Sequence, residues 1–446
     1  MVRPGLVAGL LALAAPWATT QLVPQVHGSA GGSQPEASLL ALSSGFEAEL
    51  LISALSGTPS SSVAGLAGVR FGAGPAPESL HVEVSPAGGW AARWSTNLPY
   101  LAEAGHVPHV LVVDGLAVLL EGEPGPLGGN VDTLSDRVAL NDARSLLVGV
   151  DDVDAGLRRL LLREDGVWSE VAAPGGAVAA SVGDSWSGSA FRAPVLLADG
   201  RPAYYGALTG SPFQQALVRG DDLLLRSGVS VPSGQVAGGL EPFFLVDDAQ
   251  GTTGAFAMAP TGQSWAAFVW LGDLVDATPV LVVDGAVRMT AGEPLVVGSG
   301  SNVTAFDDLA VDATGRWLAT GHGEIVANDK PLTWVVGNGQ LLAQSGGLVE
   351  PGSSERWAHH GYFETACALN TVGDWAVTGV TDAADDQNEV VVLNGLDVVC
   401  REGDGLDVDG NGQFDDDVFL ASFLPKGLGL TDDGKLFAAV RLRGAA

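Results

Sequence analysis

The segment DVDGNGQFDDDV, residues 407–418, packs five aspartates and an asparagine into twelve positions. Calcium takes six to eight oxygens from a short loop, with glycine where the chain bends sharply. Asp407, Asp409 and Asn411 fall at positions one, three and five of an EF-hand-like loop, and Gly412 falls at the bend. Gln413 would supply its backbone carbonyl, Phe414 is apolar where such loops usually are, and Asp415 stands at position nine. Position twelve departs from the pattern, because Val418 has no carboxylate. Asp417, one residue earlier, is the substitute in a distorted loop. The segment therefore reads as a structural Ca2+ site of the weak extracellular kind, with a dissociation constant of about 10⁻⁴ to 10⁻³ M. The plain alternative is an Asp/Gly-rich solvated turn.

Other reactive residues are sparse. The chain has seven histidines and two cysteines. His106, His109, His322, His359 and His360 fall in connections that the strand pattern below assigns to one face. Imidazoles there would suit a transition metal or a base, against the plainer reading of scattered surface histidines. Cys367 and Cys400 map to the first and last strands of one sheet. At about 4.8 Å per strand they are too far apart for a disulfide, which needs Cα atoms within about 7 Å, so two buried thiols are expected. There is no G-x-S-x-G, H-E-x-x-H, phosphate loop or dinucleotide fingerprint. No sialidase-type Asp box is complete either. Paired carboxylates in a central funnel stay open as an acid/base alternative.

The formal net charge is −31, from 52 acidic against 21 basic residues. A nucleic-acid partner needs clustered Lys and Arg, so that class is excluded, and anionic membrane surfaces are disfavoured. Gly (62) and Pro (24) are abundant, as many short strands joined by turns require. Residues 1–30 read as a signal peptide: Arg3, then the short apolar stretch LVAGLLALAAPWA. Ala18 and Ala30 both fit as cleavage points. Residues 31–45 read as a flexible linker and 46–446 as the folded domain. No later apolar run approaches the length of a span.

The elements that must carry these residues repeat. PAGGWAA, NDARSLLV, ADGRPAYY, PTGQSWAAF, ATGRWLAT, TVGDWAV and DDGKLFAA align on Gly88, Ala143, Gly200, Gly262, Gly315, Gly373 and Gly434. A period of roughly 57 residues with strand-like content is the sign of a propeller array. Each unit opens with a hairpin; in LAVDATGRWLAT apolar and polar residues alternate on either side of Thr314-Gly315. A second hairpin follows, as in VLVVDGLAVLLEGEP and VLVVDGAVRMTAGEP, with Asp-Gly or a similar pair at the turn. Four strands per unit make one blade. Trp90, Trp265, Trp317 and Trp375 recur on the second strand, where large side chains fill the space between blades. The last unit, LGLTDDGKLFAAVRL, is only half a blade. FEAELLISALSGTP near the N-terminus resembles the missing half. The expectation is an all-β, seven-bladed β-propeller closed by pairing residues 430–442 with 46–58, which removes two open sheet edges. Six or eight blades and a two-domain sandwich are the alternatives.

The repeats resemble those of secreted bacterial choice-of-anchor tandem repeat proteins with an NxxGxxAF motif. Asn370, Gly373 and Ala376 match in NTVGDWAV, with Val377 at the Phe position; Gly262 and Phe268 match in a stretched version. The resemblance implies an exported, functionally uncharacterised repeat protein and transfers no catalytic residue. The chain's end, RLRGAA, lacks an apolar anchor segment, so a secreted or periplasmic monomer is expected. The functional expectation is a non-enzymatic scaffold that binds a protein or polysaccharide partner through one loop-bearing face. A polysaccharide hydrolase or lyase with funnel carboxylates is the rival, and a structural envelope component is the third reading.

Overall fold

The computed structural model describes residues 36–43, 47–53, 62–67, 69–71, 82–99, 107–152, 157–178, 183–187, 191–210, 215–227, 256–271, 278–359, 365–407 and 416–444. Two strands come first, β1 (Glu36–Ser43) and β2 (Glu47–Ser53). The first complete blade is β3 (Val82–Val84), β4 (Trp90–Ser95), β5 (His109–Val113) and β6 (Leu116–Leu120). The second is β7 (Val131–Leu140), β8 (Leu146–Asp152), β9 (Leu157–Glu164) and β10 (Val167–Ala172). The third is β11 (Arg192–Leu196), β12 (Pro202–Ala207), β13 (Gln215–Arg219) and β14 (Asp222–Arg226). The fourth is β15 (Phe256–Met258), β16 (Trp265–Leu271), β17 (Thr278–Val283) and β18 (Ala286–Thr290). The fifth is β19 (Ser301–Val311), β20 (Trp317–Ile325), β21 (Lys330–Gly337) and β22 (Gln340–Gln344). The sixth is β23 (Cys367–Leu369), β24 (Trp375–Val380), β25 (Glu389–Leu393) and β26 (Asp397–Arg401). The chain finishes with β27 (Val418–Leu430) and β28 (Leu436–Gly444). Six sheets run in chain order, and the seventh is ordered β2-β1-β28-β27. The fold is a seven-bladed β-propeller of four-stranded blades.

The closing sheet joins the two ends of the chain. Strand β1 pairs antiparallel with β28 from Glu36↔Leu442 to Leu42↔Leu436, and β2 lies outside it. This corrects the expected boundary. The strand that meets β28 is Glu36–Ser43, inside the stretch read as linker, and Glu47–Ser53 forms the outermost strand. The run Leu39-Leu40-Ala41-Leu42 is too short to stand out beside its Gly/Ser-rich neighbour. What recruits it is the otherwise open edge of β28.

The chain divides into two compact units, residues 1–118 with 343–446, and residues 119–342. Within the first unit the innermost strands β23, β27 and β3 are successive neighbours. Within the second, β7, β11, β15 and β19 are. Where a blade is covered on both faces, its middle strands are uniformly apolar instead of alternating. Strand β16 shows this: Trp265, Ala267 and Val269 pack toward the third blade, while Ala266 and Phe268 pack toward the fifth.

The turn between the first two strands is built alike seven times, with one extra residue in the fourth blade, where Ala259 N–H meets the Ser264 carbonyl. In each, the residue before the turn and the residue after it share a hydrogen-bonded pair, and the amide at the third turn position bonds back. Asn370 N–H meets the Asp374 carbonyl (3.0 Å) and Gly373 N–H meets the Asn370 carbonyl (3.3 Å). The third position is left-handed: Gly88, Gly200, Gly262, Gly315, Gly373 and Gly434 all have positive φ, which glycine adopts without a Cβ penalty. In the second blade that position is Arg144 (φ 62), not Ala143. The alignment on Ala143 is therefore one residue early, because no glycine marks the turn there.

The outer hairpin explains the tryptophans. Asp114-Gly115, Asp284-Gly285, Asn338-Gly339 and Asn394-Gly395 each have two consecutive positive φ values, as a type I′ turn requires. The Asp or Asn carboxamide or carboxylate oxygen accepts the amide of the second-strand tryptophan: Trp90 (3.0 Å), Trp265 (2.8 Å), Trp317 (3.0 Å) and Trp375 (2.8 Å). Trp265 lies in the core between the third and fourth blades, and Trp317 in that between the fourth and fifth. These tryptophans are packing residues, as their spacing predicts.

Candidate functional site

The two ends of each blade differ. One end carries the tight turns just described. The other carries the connections between second and third strands and those that lead to the next blade. Residues 228–255, between β14 and β15, and residues 100–106, between β4 and β5, lie outside the described residues. Surface variation and function concentrate on such connections when a rigid scaffold holds them.

The candidate calcium segment leaves from this end. Asp407 and Asp417 are among the described residues; Asp409, Asn411, Gln413 and Asp415 lie outside them. The base of the segment is clamped. Leu406 N–H bonds the Val418 carbonyl (2.9 Å), Leu420 N–H bonds the Asp404 carbonyl (2.9 Å), and Gly403 N–H bonds the Leu420 carbonyl (2.8 Å). Val418 thus opens β27 and belongs to the clamp. Asp417, with φ of 53°, is the last residue before it. Among the described residues no group of three metal-ligating side chains is gathered.

Beside this clamp sits a set of perturbed carboxylates. Glu389, at the start of β25, accepts the Phe423 amide of β27 at 2.8 Å. Burial pushes its carboxyl up, against that amide and Arg441. Burial first, then the neighbouring Glu389 carboxylate, pushes Glu402 up to about 7, opposed by the Glu389 amide and Arg443. Asp404, buried where it accepts the Arg401 amide (2.8 Å), is pushed up to about 6 by desolvation. Arg401 itself is held by Glu355 in a two-pronged pair (2.8 and 2.7 Å) and by the Gln387 carbonyl (2.6 Å). A carboxyl poised near 7 suits general acid work. These groups, however, lie on the third strand and beyond the fourth, away from the inner strand of their blade.

Four of the inner strands shift register along their length. Strand β7 shifts register between Leu134 and Val138, β11 between Arg192 and Val195, β19 between Phe306 and Leu309, and β27 between Phe423 and Leu428. Such bulges re-aim side chains. In β19 the bulge carries Asp307, buried and 3.1 Å from His322 of β20. Thr320, wholly buried, accepts the next amide, that of Asp308 (3.2 Å). In the sixth blade Thr378 does the same for Ala366 (2.9 Å).

Among the described residues each histidine has its own surroundings. His109 is buried against Arg93, whose guanidinium lies 3.1 Å from Nδ1. His322 pairs with Asp307 in another blade, and His359 lies beside Gly346. His106 and His360 lie outside the described residues. Cys367 and Cys400 are free and buried on opposite edge strands of the sixth blade. Burial raises the Cys400 thiol well above its ordinary value, with Asp404 adding to it, so it is a packing residue and no nucleophile.

Two sets of structural residues escape a reading of the sequence alone. Asn370 accepts the Gly373 and Asp374 amides (2.9 and 2.8 Å) and donates to the Thr431 carbonyl of the next blade (3.1 Å). Asn141 does likewise, accepting from Ser145 (3.0 Å) and donating to the Leu197 carbonyl of the third blade (3.1 Å). The motif asparagine is a latch between blades. The second set is the glycines of the second strand. A Cβ at Gly379 would overlap the Trp357 ring, and one at Gly206 would crowd Trp186 at 3.0 Å and Phe191 at 3.1 Å. Their signal is a glycine four residues after the tryptophan position, visible in WAVTG and WLATG.

No protein-family model matches the chain, and no curated protein matches it. Solved propellers are similar in fold. The Dos1 propeller is 12% identical over 80% of this chain and 90% of its own, with a TM-score of 0.34. The β-propeller domain of the Trilobed protease from Pyrococcus furiosus is 6% identical over 82% and 90%, with a TM-score of 0.40. An α-L-arabinanase from Penicillium chrysogenum is 14% identical over 72% and 94%, with a TM-score of 0.34. These likenesses concern fold and do not choose between a scaffold and a hydrolase.

Proposed function

We propose that the protein is an exported, non-enzymatic scaffold whose loop-bearing end binds a protein or polysaccharide partner. One observation carries this reading: the chain spends its tight, self-locked turns at one end of every blade and its long connections at the other. The leader-like residues 1–30 and the strong acidic charge support export and solubility. Glu402 and Asp404 lie just beyond the fourth strand of one blade and Glu389 is occupied by the Phe423 amide, which supports a structural role for these raised carboxylates. Replacing residues 228–255 by a short Gly/Ser segment should abolish binding to the polysaccharide or protein recovered by the intact chain, with unchanged melting. Release of new reducing ends from a polysaccharide by the intact chain would instead favour the hydrolase.

At the same end, the clamped segment 407–417 is proposed to hold Ca2+ through Asp407, Asp409, Asn411, the Gln413 carbonyl, Asp415 and Asp417. The clamp supports this by fixing the first and last of these residues at the base of one loop. Calorimetric titration should give calcium heat in the native chain and none in Asp409→Ala. Absence of heat in the native chain at millimolar calcium would leave an acidic turn.

A further inference from the structure

The connection between β6 and β7 and the connection between β26 and β27 are built alike. In the first, Gly122 N–H bonds the Val131 carbonyl (2.7 Å) and Val131 N–H bonds the Glu123 carbonyl (3.0 Å). In the second, Gly403 N–H bonds the Leu420 carbonyl (2.8 Å) and Leu420 N–H bonds the Asp404 carbonyl (2.9 Å). Glu121 and Glu402 therefore hold the same place, one residue before the glycine. Leu134 and Phe423 also hold the same place, each at the point where its inner strand shifts register. A residue at such a shift drops out of the ladder, and its buried amide needs another acceptor. In the first connection Glu121, itself buried, accepts the Leu134 amide at 2.8 Å.

In the second connection two carboxylates are aimed at the one amide. Glu389, not Glu402, accepts the Phe423 amide, at 2.8 Å. Glu389 and Glu402 stand directly opposite each other. The register of β25 and β26 runs from Val391↔Cys400 through Val390↔Arg401, and the Glu402 N–H then bonds the Glu389 carbonyl (2.8 Å). Opposite residues of an antiparallel pair point to the same face with Cβ atoms about 5 Å apart, and like charges there repel. Both glutamates are partly buried. Burial pushes both carboxyls up, and the Glu389 charge adds to the rise in Glu402, to about 7. Among the described residues, Asp386 ahead of β25 adds to this negative charge, while Arg441 and Arg443 of β28 oppose it. Arg401, next to Glu402, is taken up by Glu355, and Asp404 accepts the Arg401 amide.

We propose that Glu389 and Glu402 form a proton-operated switch at the seam between the sixth blade and the closing sheet. In acid the pair keeps one proton: one carboxylate accepts the Phe423 amide and its neighbour is neutral. Loss of that proton to water sets two carboxylates against each other across β25 and β26, and the seam loosens. Gly403 and Asp404 follow Glu402 directly and carry the clamp under the 407–417 segment, so the loosening reaches the loop-bearing end. The switch stands whether or not that segment binds a cation. Because Glu402 sits where Glu121 sits in the first connection, it takes the Phe423 amide once Glu389 is removed.

The test is hydrogen exchange of the full chain, read by mass spectrometry over 418–424 and corrected for the pH dependence of chemical exchange. Urea midpoints are measured alongside, from about pH 5 to about pH 8. In the native chain, protection over 418–424 should fall by about tenfold or more as pH rises through about 7. Glu389→Gln and Glu402→Gln should each flatten that fall, because one charge is gone and an amide oxygen remains to accept. Glu389→Ala should also flatten it and keep the protection, with Glu402 holding the Phe423 amide. The double variant, Glu389→Ala with Glu402→Ala, should lose protection at every pH and lower the urea midpoint by more than the sum of the single shifts. The proposal is overturned if native protection is level across this range, if both Gln variants keep the native pH dependence, or if Glu389→Ala alone loses as much protection as the double variant. Should the double variant fail to fold, the two Gln profiles decide.

Discussion

Asn370 offers the sharpest test of how the blades are held together. Its side chain is 2% exposed and makes three good hydrogen bonds, two within its own turn and one to the Thr431 carbonyl of the next blade. Asn370→Ala removes all three. Gly373 keeps a backbone bond at 3.3 Å and Thr431 O keeps the Gly434 amide at 3.0 Å, so the Asp374 amide is the group left worst off. The orphaned buried donor costs about 1–3 kcal/mol and the other two lost bonds about 1 kcal/mol each, which gives roughly 3–5 kcal/mol in all. Asn370→Ser separates the two roles. A serine oxygen caps the equivalent turn of the first blade, where Ser85 accepts the Gly89 amide at 3.1 Å, but it is too short to reach across blades. Its cost should be about 1–1.5 kcal/mol, the worth of the latch. Asn370→Asp keeps both acceptor bonds yet turns a carboxylate oxygen on the Thr431 carbonyl, beside the Asp374 carboxylate. It should be worse than serine at pH 7 and recover toward acid, where a protonated carboxyl donates as the amide does. Urea unfolding gives the stabilities, and hydrogen exchange over 366–378 and 428–437 reports the junction. A serine variant as stable as the native chain, or an aspartate variant tolerated at pH 7, would refute the latch.

Other consequences follow from the same geometry. Glu402 and Asp404 have folded pKa values raised above their unfolded ones, to about 7 and about 6, and Glu389 is shifted in the same direction, so the contribution of the first two is full below about pH 4 and is lost as pH rises through about 6 to 7. Stability should therefore fall between pH 5 and 8, with a shallower fall in Glu402→Gln; urea midpoints that rise over this range would contradict it. Gly379→Ala places a methyl against the Trp357 ring and should cost about 1–3 kcal/mol by overpacking; a double variant with Trp357→Phe should regain part of that in thermal melts. Deleting residues 36–53 leaves β28 with an open edge and should yield oligomers by size-exclusion chromatography; a monomer of native melting temperature would show that the closing strands are dispensable.

Periodicity and turn chemistry were legible because they are local. A Gly at the turn, an Asp-Gly or Asn-Gly pair one repeat on from the last, and apolar runs between them specify hairpins without reference to anything distant. Blade number followed from counting them. The same locality failed at Ala143, where the left-handed residue is Arg144 and carries no glycine signal. It failed again at residues 36–43, a short apolar run in a small-residue stretch. Nothing in its own sequence says strand; the unpaired edge of β28, almost four hundred residues away, does. The role of Asn370 was hidden for a related reason. Its turn-capping half is local, but its second bond ends on a carbonyl 61 residues later, and only packed blades bring the two together. The inner-strand bulges belong to the tertiary structure alone. Arg137 and Arg192 are 55 residues apart in sequence and unremarkable there. Their strands, β7 and β11, are neighbours only in the folded blades, where Gly149 of β8 leaves room for Ser135 and the Phe191 carbonyl. The sequence by itself determined the repeat, the hairpins and the packing tryptophans, since each depends on neighbours a few residues away. Which segment closes the sheet and which residues latch the blades were decided by contacts between segments that the sequence keeps far apart.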